Sequence, residues 1–504
     1  MRTLLCIVIG LFLASTAMAQ EGYQLKFKVQ GWKDTTAYLG HYYGEQHYLK
    51  DTARVNSKGE FVFDGKKPLA RGMYFVVLNS TKIFELVLGT NQKFALETNS
   101  TDYIKNMKVT GDVDNKLFFD QMLFNMERHH EAEPFLKILK DSTLSEDKKK
   151  DARTSFNQVN DKVQAYHKEI IAKYPGTITA LMFKASMPVT VPDAPKKADG
   201  TIDSTFQLRW YREHFFDNFD LADDALIRMN RPVYSEKINE YLDKLYAPQA
   251  DTLTQAIFKL VAKAKKNQET YKYAAWTCLL KYQQPEIMGL DAVYVNLYDK
   301  YYGSGEMNFW LNAKTAQLLK DFAERTRKSL IGKTAPNLIM QDLSLKPKSM
   351  YDIKSRYTIL YIFDPDCGHC KEETPKLVDF YTKNKTKFDV EVYAVSADSS
   401  LAKMRDYITT MNMKWITVNG PRTYVGSYQD HYDAQTTPSL FIVDAKHKII
   451  AKKVPAEKLE EFFTQYEKFH VPAAKTAPAS APKTPTPAPK TPAPAATPGK
   501  SKPK

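Results

Sequence analysis

Cysteine is scarce, with four in 504 residues, at positions 6, 278, 367 and 370. So few thiols exclude a disulfide-stapled scaffold. No second cysteine pair supplies the third and fourth ligands that a structural zinc site requires. The apolar run near the start, residues 4–13, is too short to anchor stably in a bilayer. No repeat period is evident, and the last 34 residues contain no acidic side chain.

What remains is concentrated in one place. Cys367-Gly368-His369-Cys370 follows the strand-like apolar run 357–363 and directly precedes a helix-like stretch, 371–385. A buried strand leading into C-x-x-C on the first turn of a helix activates sulfur, because the first thiolate faces unpaired backbone N–H groups and the positive end of the helix dipole. Such surroundings lower a thiol pKa into the range of roughly 3.5 to 7.5. Cys367 is then the nucleophile. Cys370, close to one helical turn further on, resolves a mixed disulfide formed at the first. Cys278 lies alone in the apolar stretch 274–280 and reads as a small core hydrophobe.

From residue 331 to about 469 the chain resembles the TlpA/ResA-like periplasmic thiol-disulfide oxidoreductases, which have a thioredoxin fold. The resemblance rests on the lead-in Gly332-Lys333-Thr334-Ala335-Pro336-Asn337-Leu338, the strand and C-x-x-C, then Glu373 and Pro375, and finally Thr436-Thr437-Pro438 before the strand-like run 439–444. It implies a cis-proline loop at Pro438 facing the cysteines. The residues agree, since X-Pro is the bond that adopts cis at modest cost. The Thr437 backbone would then be open to pair with an extended substrate segment.

His369 stabilises a neighbouring thiolate when protonated, or is simply solvated; both readings stand. The same tetrapeptide is typical of protein disulfide isomerases, with potentials near roughly −180 mV against about −270 mV for thioredoxin. Asp364 and Asp366 push the other way, because nearby carboxylates penalise a thiolate. Two positions depart from the general thioredoxin pattern: Asp366 replaces a tryptophan, and Tyr361 replaces a buried aspartate. Glu373 resembles the glutamate that the TlpA/ResA-like group keeps near its cysteines. It is the candidate proton acceptor for Cys370, with a solvated helix glutamate as the alternative.

Residues 1–19 read as a secretory signal peptide: Met1-Arg2, the apolar run, then Ala17-Met18-Ala19 before Gln20. No cysteine follows the cleavage point, which argues against lipid attachment. The expected location is therefore periplasmic or secreted, in an oxidising space. Beyond the leader the expected architecture is multidomain. An all-β antiparallel sandwich over 20–110 comes first, then an α-helical domain over 111–328 with a surface loop at 187–200. An α/β thioredoxin fold over 329–470 and a Pro/Ala/Lys-rich tail over 471–504 complete the chain. This layout is similar to Bacteroidota-type secreted proteins whose leading domains have no assigned activity. Aromatics of the helical region, including Tyr271, Tyr273, Trp276, Tyr301, Tyr302 and Trp310, read as core, with a peptide-binding groove as the lesser reading. His129-His130 point different ways on a helix and read as a solvated face rather than a metal site.

The net charge of +14 owes much to the tail, which has six lysines and ten prolines. That composition reads as a disordered, polyproline-II-leaning extension, either a tether to an anionic surface or a solubilising tail. Nothing points to nucleic acid. The expected function is protein thiol-disulfide oxidoreductase activity on thiol or disulfide substrates, coupled to a membrane or periplasmic redox partner, without metal, nucleotide or flavin. Cys367, Cys370, Glu373 and His369 are the candidate catalytic residues, and Thr437 and Pro438 the substrate-binding ones. The alternative is a peptide- or glycan-binding scaffold with a vestigial thioredoxin domain. A thiol peroxidase fits less well, because the second cysteine is so close and the motif carries no arginine.

Overall fold

A computed structural model describes residues 22–470, so the expected leader and tail lie outside the described residues. The chain divides into two compact units. The first comprises the described residues up to 336 together with 426–435, and the second comprises 337–425 and 436 onward.

The first unit opens with eight strands: β1 (Tyr23–Gln30), β2 (Thr36–Tyr43), β3 (Gln46–Arg54), β4 (Glu60–Gly65), β5 (Gly72–Leu78), β6 (Thr81–Leu88), β7 (Lys93–Asn99) and β8 (Lys108–Thr110). Alternation sets their faces. Leu25, Phe27 and Val29 of β1 are buried while Gln24, Lys26 and Gln30 face outward. Two four-stranded sheets result, ordered β4-β1-β7-β8 and β3-β2-β5-β6. The expected all-antiparallel pairing fails at one ladder, because β1 and β7 run parallel. Alternation fixes which side chains face the core but not the direction of the neighbouring strand.

Nine α-helices follow among the described residues: α1 (Val113–Lys140), α2 (Glu146–Lys173), α3 (Ile178–Ser186), α4 (Phe206–His214), α5 (Val233–Leu245), α6 (Ala250–Ala264), α7 (Gln268–Lys281), α8 (Asp291–Leu297) and α9 (Ala313–Lys328). The loop expected at 187–200 lies between α3 and α4. The sandwich and the helices were expected as separate domains, but they share one contiguous core running from Leu25 to Ala323. Buried polar contacts tie them together. The Asn115 amide of α1 bonds both Val87 N–H (3.0 Å) and Val87 C=O (2.8 Å), satisfying backbone groups of β6. Asp114, also buried, accepts Ile178 N–H (2.7 Å), Thr179 N–H (3.1 Å) and the Thr179 hydroxyl (2.8 Å), so it caps the start of α3.

The second unit contains β9 (Ile339–Gln341), β10 (Pro347–Ser349), β11 (Tyr357–Phe363), α10 (Gly368–Phe388), β12 (Val390–Ser396), α11 (Leu401–Thr410), β13 (Ile416–Thr423), β14 (Ser439–Asp444), β15 (Ile449–Lys452) and α12 (Leu459–His470). Its sheet runs β10-β9-β13-β12-β11-β14-β15. β11 is central, parallel to β12 and antiparallel to β14, and every one of its seven residues is buried. That is why its sequence is a continuous apolar run rather than an alternating one. The unit is smaller than the expected 329–470, because residues 329–336 and 426–435 belong to the first unit. There Lys328 Nζ donates to Asp430 C=O (2.8 Å), Asp433 N–H to Ser329 Oγ (3.2 Å) and the Tyr432 hydroxyl to Pro336 C=O (2.5 Å).

Candidate active site

The turn after β11 is built by its own side chains. Asp364 Oδ1 accepts the Asp366 N–H at 2.8 Å and Asp364 C=O accepts the Cys367 N–H at 3.1 Å, so the strand stops and the chain turns into α10. Cys367 is the N-cap residue of that helix, and its sulfur accepts the Cys370 N–H at 3.4 Å. Sulfur here does what a serine or aspartate oxygen does at an ordinary N-cap, and a thiolate accepts such a bond better than a thiol. Along α10 the buried positions Cys370, Thr374, Leu377, Tyr381, Asn384 and Phe388 recur at alternating steps of four and three. That stripe keeps Cys370 on the core face while Cys367 stays partly exposed.

The two sulfurs have opposite tendencies. Burial pushes the Cys367 thiol up, but the Cys370 thiol and N–H, the Thr437 hydroxyl and the His369 N–H all bond the anion, and Cys367 ends below the ordinary thiol value. Burial pushes the Cys370 thiol up to about 12, against an opposing hydrogen bond from Asp364 N–H at 3.5 Å. One sulfur thus ionises more readily than an ordinary thiol and the other far less readily.

Each residue singled out in the sequence has a definite place. The Thr437–Pro438 peptide bond is cis, and Thr437 C=O accepts from Cys367 Sγ at 3.4 Å. Sequence reasoning looked only to the Thr437 backbone, whereas its side chain also lowers the pKa of both cysteines. The His369 ring is exposed, with Glu372 at 3.8 Å, and its backbone N–H is among the groups that lower the Cys367 pKa. Glu373 sits away from the role expected for it. Its carboxylate accepts the Ala456 N–H and lies 3.5 Å from Lys376 Nζ, with no hydrogen bond to Cys370 among the described residues. The geometry pins α10 to the segment before α12. Asp366, expected to oppose the thiolate, is met by Lys403 Nζ at 2.6 Å, which also holds Asp398 at 3.0 Å.

Two expectations follow from this electrostatic arrangement. Alkylation of Cys367 by iodoacetamide should rise with pH through a midpoint below 9, while Cys370 stays inert until pH approaches about 12. Mass spectrometry of the two peptides across pH would read both, and a shared midpoint near 9 would contradict the assignment. The folded value of Cys367 lies below its unfolded one. Its thiolate therefore adds stability to the reduced protein above the unfolded value, and that stability fades as pH falls through the folded value. The second expectation concerns Lys403→Gln, which unmasks Asp366 and should raise the Cys367 midpoint by about a few tenths of a unit. An unchanged midpoint would mean that the lysine does not shield the cysteine.

Elsewhere, Cys278 is fully buried and its thiol is pushed up to about 12 by burial, as befits a core residue. Tyr271, Tyr301 and Tyr302 are core, whereas Tyr273, Trp276 and Trp310 line a cleft of about 580 Å³ in the first unit, together with Tyr43, Tyr48 and Lys272. Trp276 and Trp310 meet edge to face at 5.4 Å. The His130 ring is 90 % exposed, and no group of side chains suited to a metal ion occurs among the described residues.

Residues 355–449 match the model of the thioredoxin-like family. Residues 23–118 and 146–324 each match a domain of unknown function, DUF4369 and DUF5106. The chain thus carries a thioredoxin-like domain at its C-terminal end, with additional domains ahead of it. Its curated relatives at that domain are thiol-disulfide oxidoreductases. ResA of Bacillus cereus is 26% identical over 145 residues, spanning 29% of this chain and 81% of the relative. ResA of Bacillus subtilis is 27% identical over 137 residues, spanning 27% and 73%. Among solved structures, a domain of a possible thiol-disulfide isomerase from Cytophaga hutchinsonii is 37% identical, covering 28% of this chain and 94% of its own, at a TM-score of 0.26. A thioredoxin-like protein from Bacteroides caccae is 18% identical, covering 55% of this chain and all of its own, at a TM-score of 0.45.

Proposed function

We propose that this chain is an extracytoplasmic protein thiol-disulfide oxidoreductase working through the dithiol of Cys367 and Cys370. The observation that carries the reading is the split between the two sulfurs, one partly exposed at a helix N-cap and with its pKa lowered, the other buried and with its pKa raised. In the reducing direction the Cys367 thiolate attacks a substrate disulfide, forming a mixed disulfide and releasing one substrate thiolate. Cys370 then attacks the Cys367 sulfur, the second substrate thiolate leaves with the proton of Cys370, and the protein is left oxidised by two electrons. The oxidising direction is the reverse. The cis-proline loop would hold the substrate backbone at Thr437, and a membrane or periplasmic partner would reset the pair. Location outside the cytoplasm rests on the leader sequence and on the need for a compartment where disulfides persist.

Equilibration of the mature protein in glutathione buffers, with alkylation and mass spectrometry reporting the Cys367–Cys370 disulfide, tests the reading. A single two-electron transition is expected. A midpoint near the thioredoxin value of about −270 mV indicates a reductase, and one near about −180 mV an oxidant or isomerase. A pair that never cycles sinks the proposal. The aromatic cleft of the first unit supports a second reading, a peptide- or glycan-binding scaffold, which full function of a Cys367→Ser variant in cells would favour.

A further inference from the structure

Three hydroxyls lie buried beside the resolving cysteine. Tyr361 of β11 bonds Thr374 Oγ1 of α10 at 2.7 Å, and Thr374 Oγ1 bonds the Tyr407 hydroxyl of α11 at 2.8 Å. Tyr361 and Thr374 are fully buried and Tyr407 is 5% exposed. Phe363 stacks on both tyrosine rings, at 5.8 Å and 4.9 Å, and Cys370 belongs to the same apolar cluster. Thr374 is four residues after Cys370, so the two side chains lie one turn apart on the same face of α10.

Counting protons shows what such a chain can do. Each hydroxyl carries one proton, and two hydrogen bonds within the trio use two of the three. One O–H is left over for an acceptor outside the trio. Phenylalanine or valine would fill this space without that surplus and without the cost of burying hydroxyls. The Cys370 sulfur is the reacting group in the cluster that Tyr361 and Tyr407 share, Thr374 follows it by one helical turn, and no carboxylate among the described residues hydrogen-bonds to it.

We propose that Tyr361, Thr374 and Tyr407 are positioning residues for the resolving step, turning the surplus hydroxyl proton toward Cys370 as its sulfur becomes a thiolate. The inference rests on the oxidoreductase reading and specifies how its second half-reaction is supported. In that step the S–S bond between Cys367 and Cys370 forms, the bond from Cys367 to the substrate sulfur breaks, and the proton of Cys370 leaves with the substrate thiolate. The trio ends in the protonation state in which it began. The other ionisable or polar groups around the sulfur are Cys367, the Asp364 N–H and carboxylate, and the Thr437 hydroxyl. Glu373 is bound to Ala456 N–H and Lys376, the exposed His369 lies beside Glu372, and Asp366 is paired with Lys403.

The reduced full-length protein mixed with dithionitrobenzoate reads the two half-reactions separately, because attack by Cys367 releases one coloured thiolate and resolution by Cys370 a second. Tyr361→Phe and Thr374→Val are expected to slow the second phase about tenfold at neutral pH and to move its pH midpoint up by about one unit. The first phase should stay within about twofold. Thr374→Ser, which restores the hydroxyl without the methyl, should restore the second phase. A wild-type protein with both phases whose variants keep the same second phase and midpoint would overturn the trio's role. The same follows if Thr374→Ser is as slow as Thr374→Val, since packing would then be the cause. A wild-type protein that shows no second phase would instead overturn the oxidoreductase reading itself. Tyr361→Phe removes a single oxygen and keeps the ring, so it decides the matter even if Thr374→Val fails to fold.

Discussion

Cys367→Ser is expected to reduce exchange with disulfide substrates by at least about a thousandfold at pH 7. The thiol left behind is Cys370, fully buried and with its pKa pushed up to about 12. At pH 7 only about one such thiol in 10⁵ is ionised, and the thiolate is the attacking species. Exposure and ionisation both favour Cys367, so no second route compensates for its loss. The reciprocal variant, Cys370→Ala, should still react once and then stall, accumulating mixed disulfides through Cys367. Non-reducing gels of cells that express it would show them, and their absence would count heavily against an enzyme acting on proteins. Substantial exchange by Cys367→Ser would show that the roles of the two sulfurs have been assigned the wrong way round.

The second large effect is on stability. Phe463 of α12 is fully buried where α12, α10 and β11 meet. Its ring lies 5.7 Å from Phe380, 5.3 Å from Phe388, 5.0 Å from Tyr357 and 5.4 Å from Phe462. Phe463→Ala removes the ring that all four share and leaves a cavity that this packed layer refills only partly. A loss of about 3–5 kcal/mol is expected, equivalent to a fall of roughly 10 °C or more in the melting of the thioredoxin-like unit. Calorimetry of the full chain would measure it. A shift of only a degree or two would mean that α12 contributes little to holding α10, and with it the two cysteines, in place.

The cysteines were legible because the features that define them are local: a continuous apolar strand, a turn, and C-x-x-C at a helix start. Pro438 was legible through its place before a second apolar strand. What escaped the sequence depends on pairing across long separations. Ala456, the partner of Glu373, lies 83 residues away, and nothing in the acidic run Glu372-Glu373 says which carboxylate turns inward or what it meets there. Tyr361 stood out only as a departure from a family pattern. Thr374 and Tyr407, 33 residues apart, are ordinary residues on two helices until the fold joins their hydroxyls. The same holds in the first unit. Alternation in β1 marked its buried face but not its parallel pairing with β7, and amphipathic helices did not reveal that the sheets would cover them.

The interruption of the thioredoxin-like unit at 426–435 bears on how the chain can be cut. A fragment beginning at residue 337 would carry those ten residues without Lys328, Ser329 and Pro336, their partners. Tyr432, fully buried in the intact chain, would lose its hydrogen-bond acceptor and part of its cover. Such a fragment is expected to be nicked by proteases at this loop and to self-associate through it, whereas one starting before Lys328 retains these three partners. The boundary at which this domain can be excised is therefore set by a loop about ninety residues downstream of residue 337, not by the sequence around the cut.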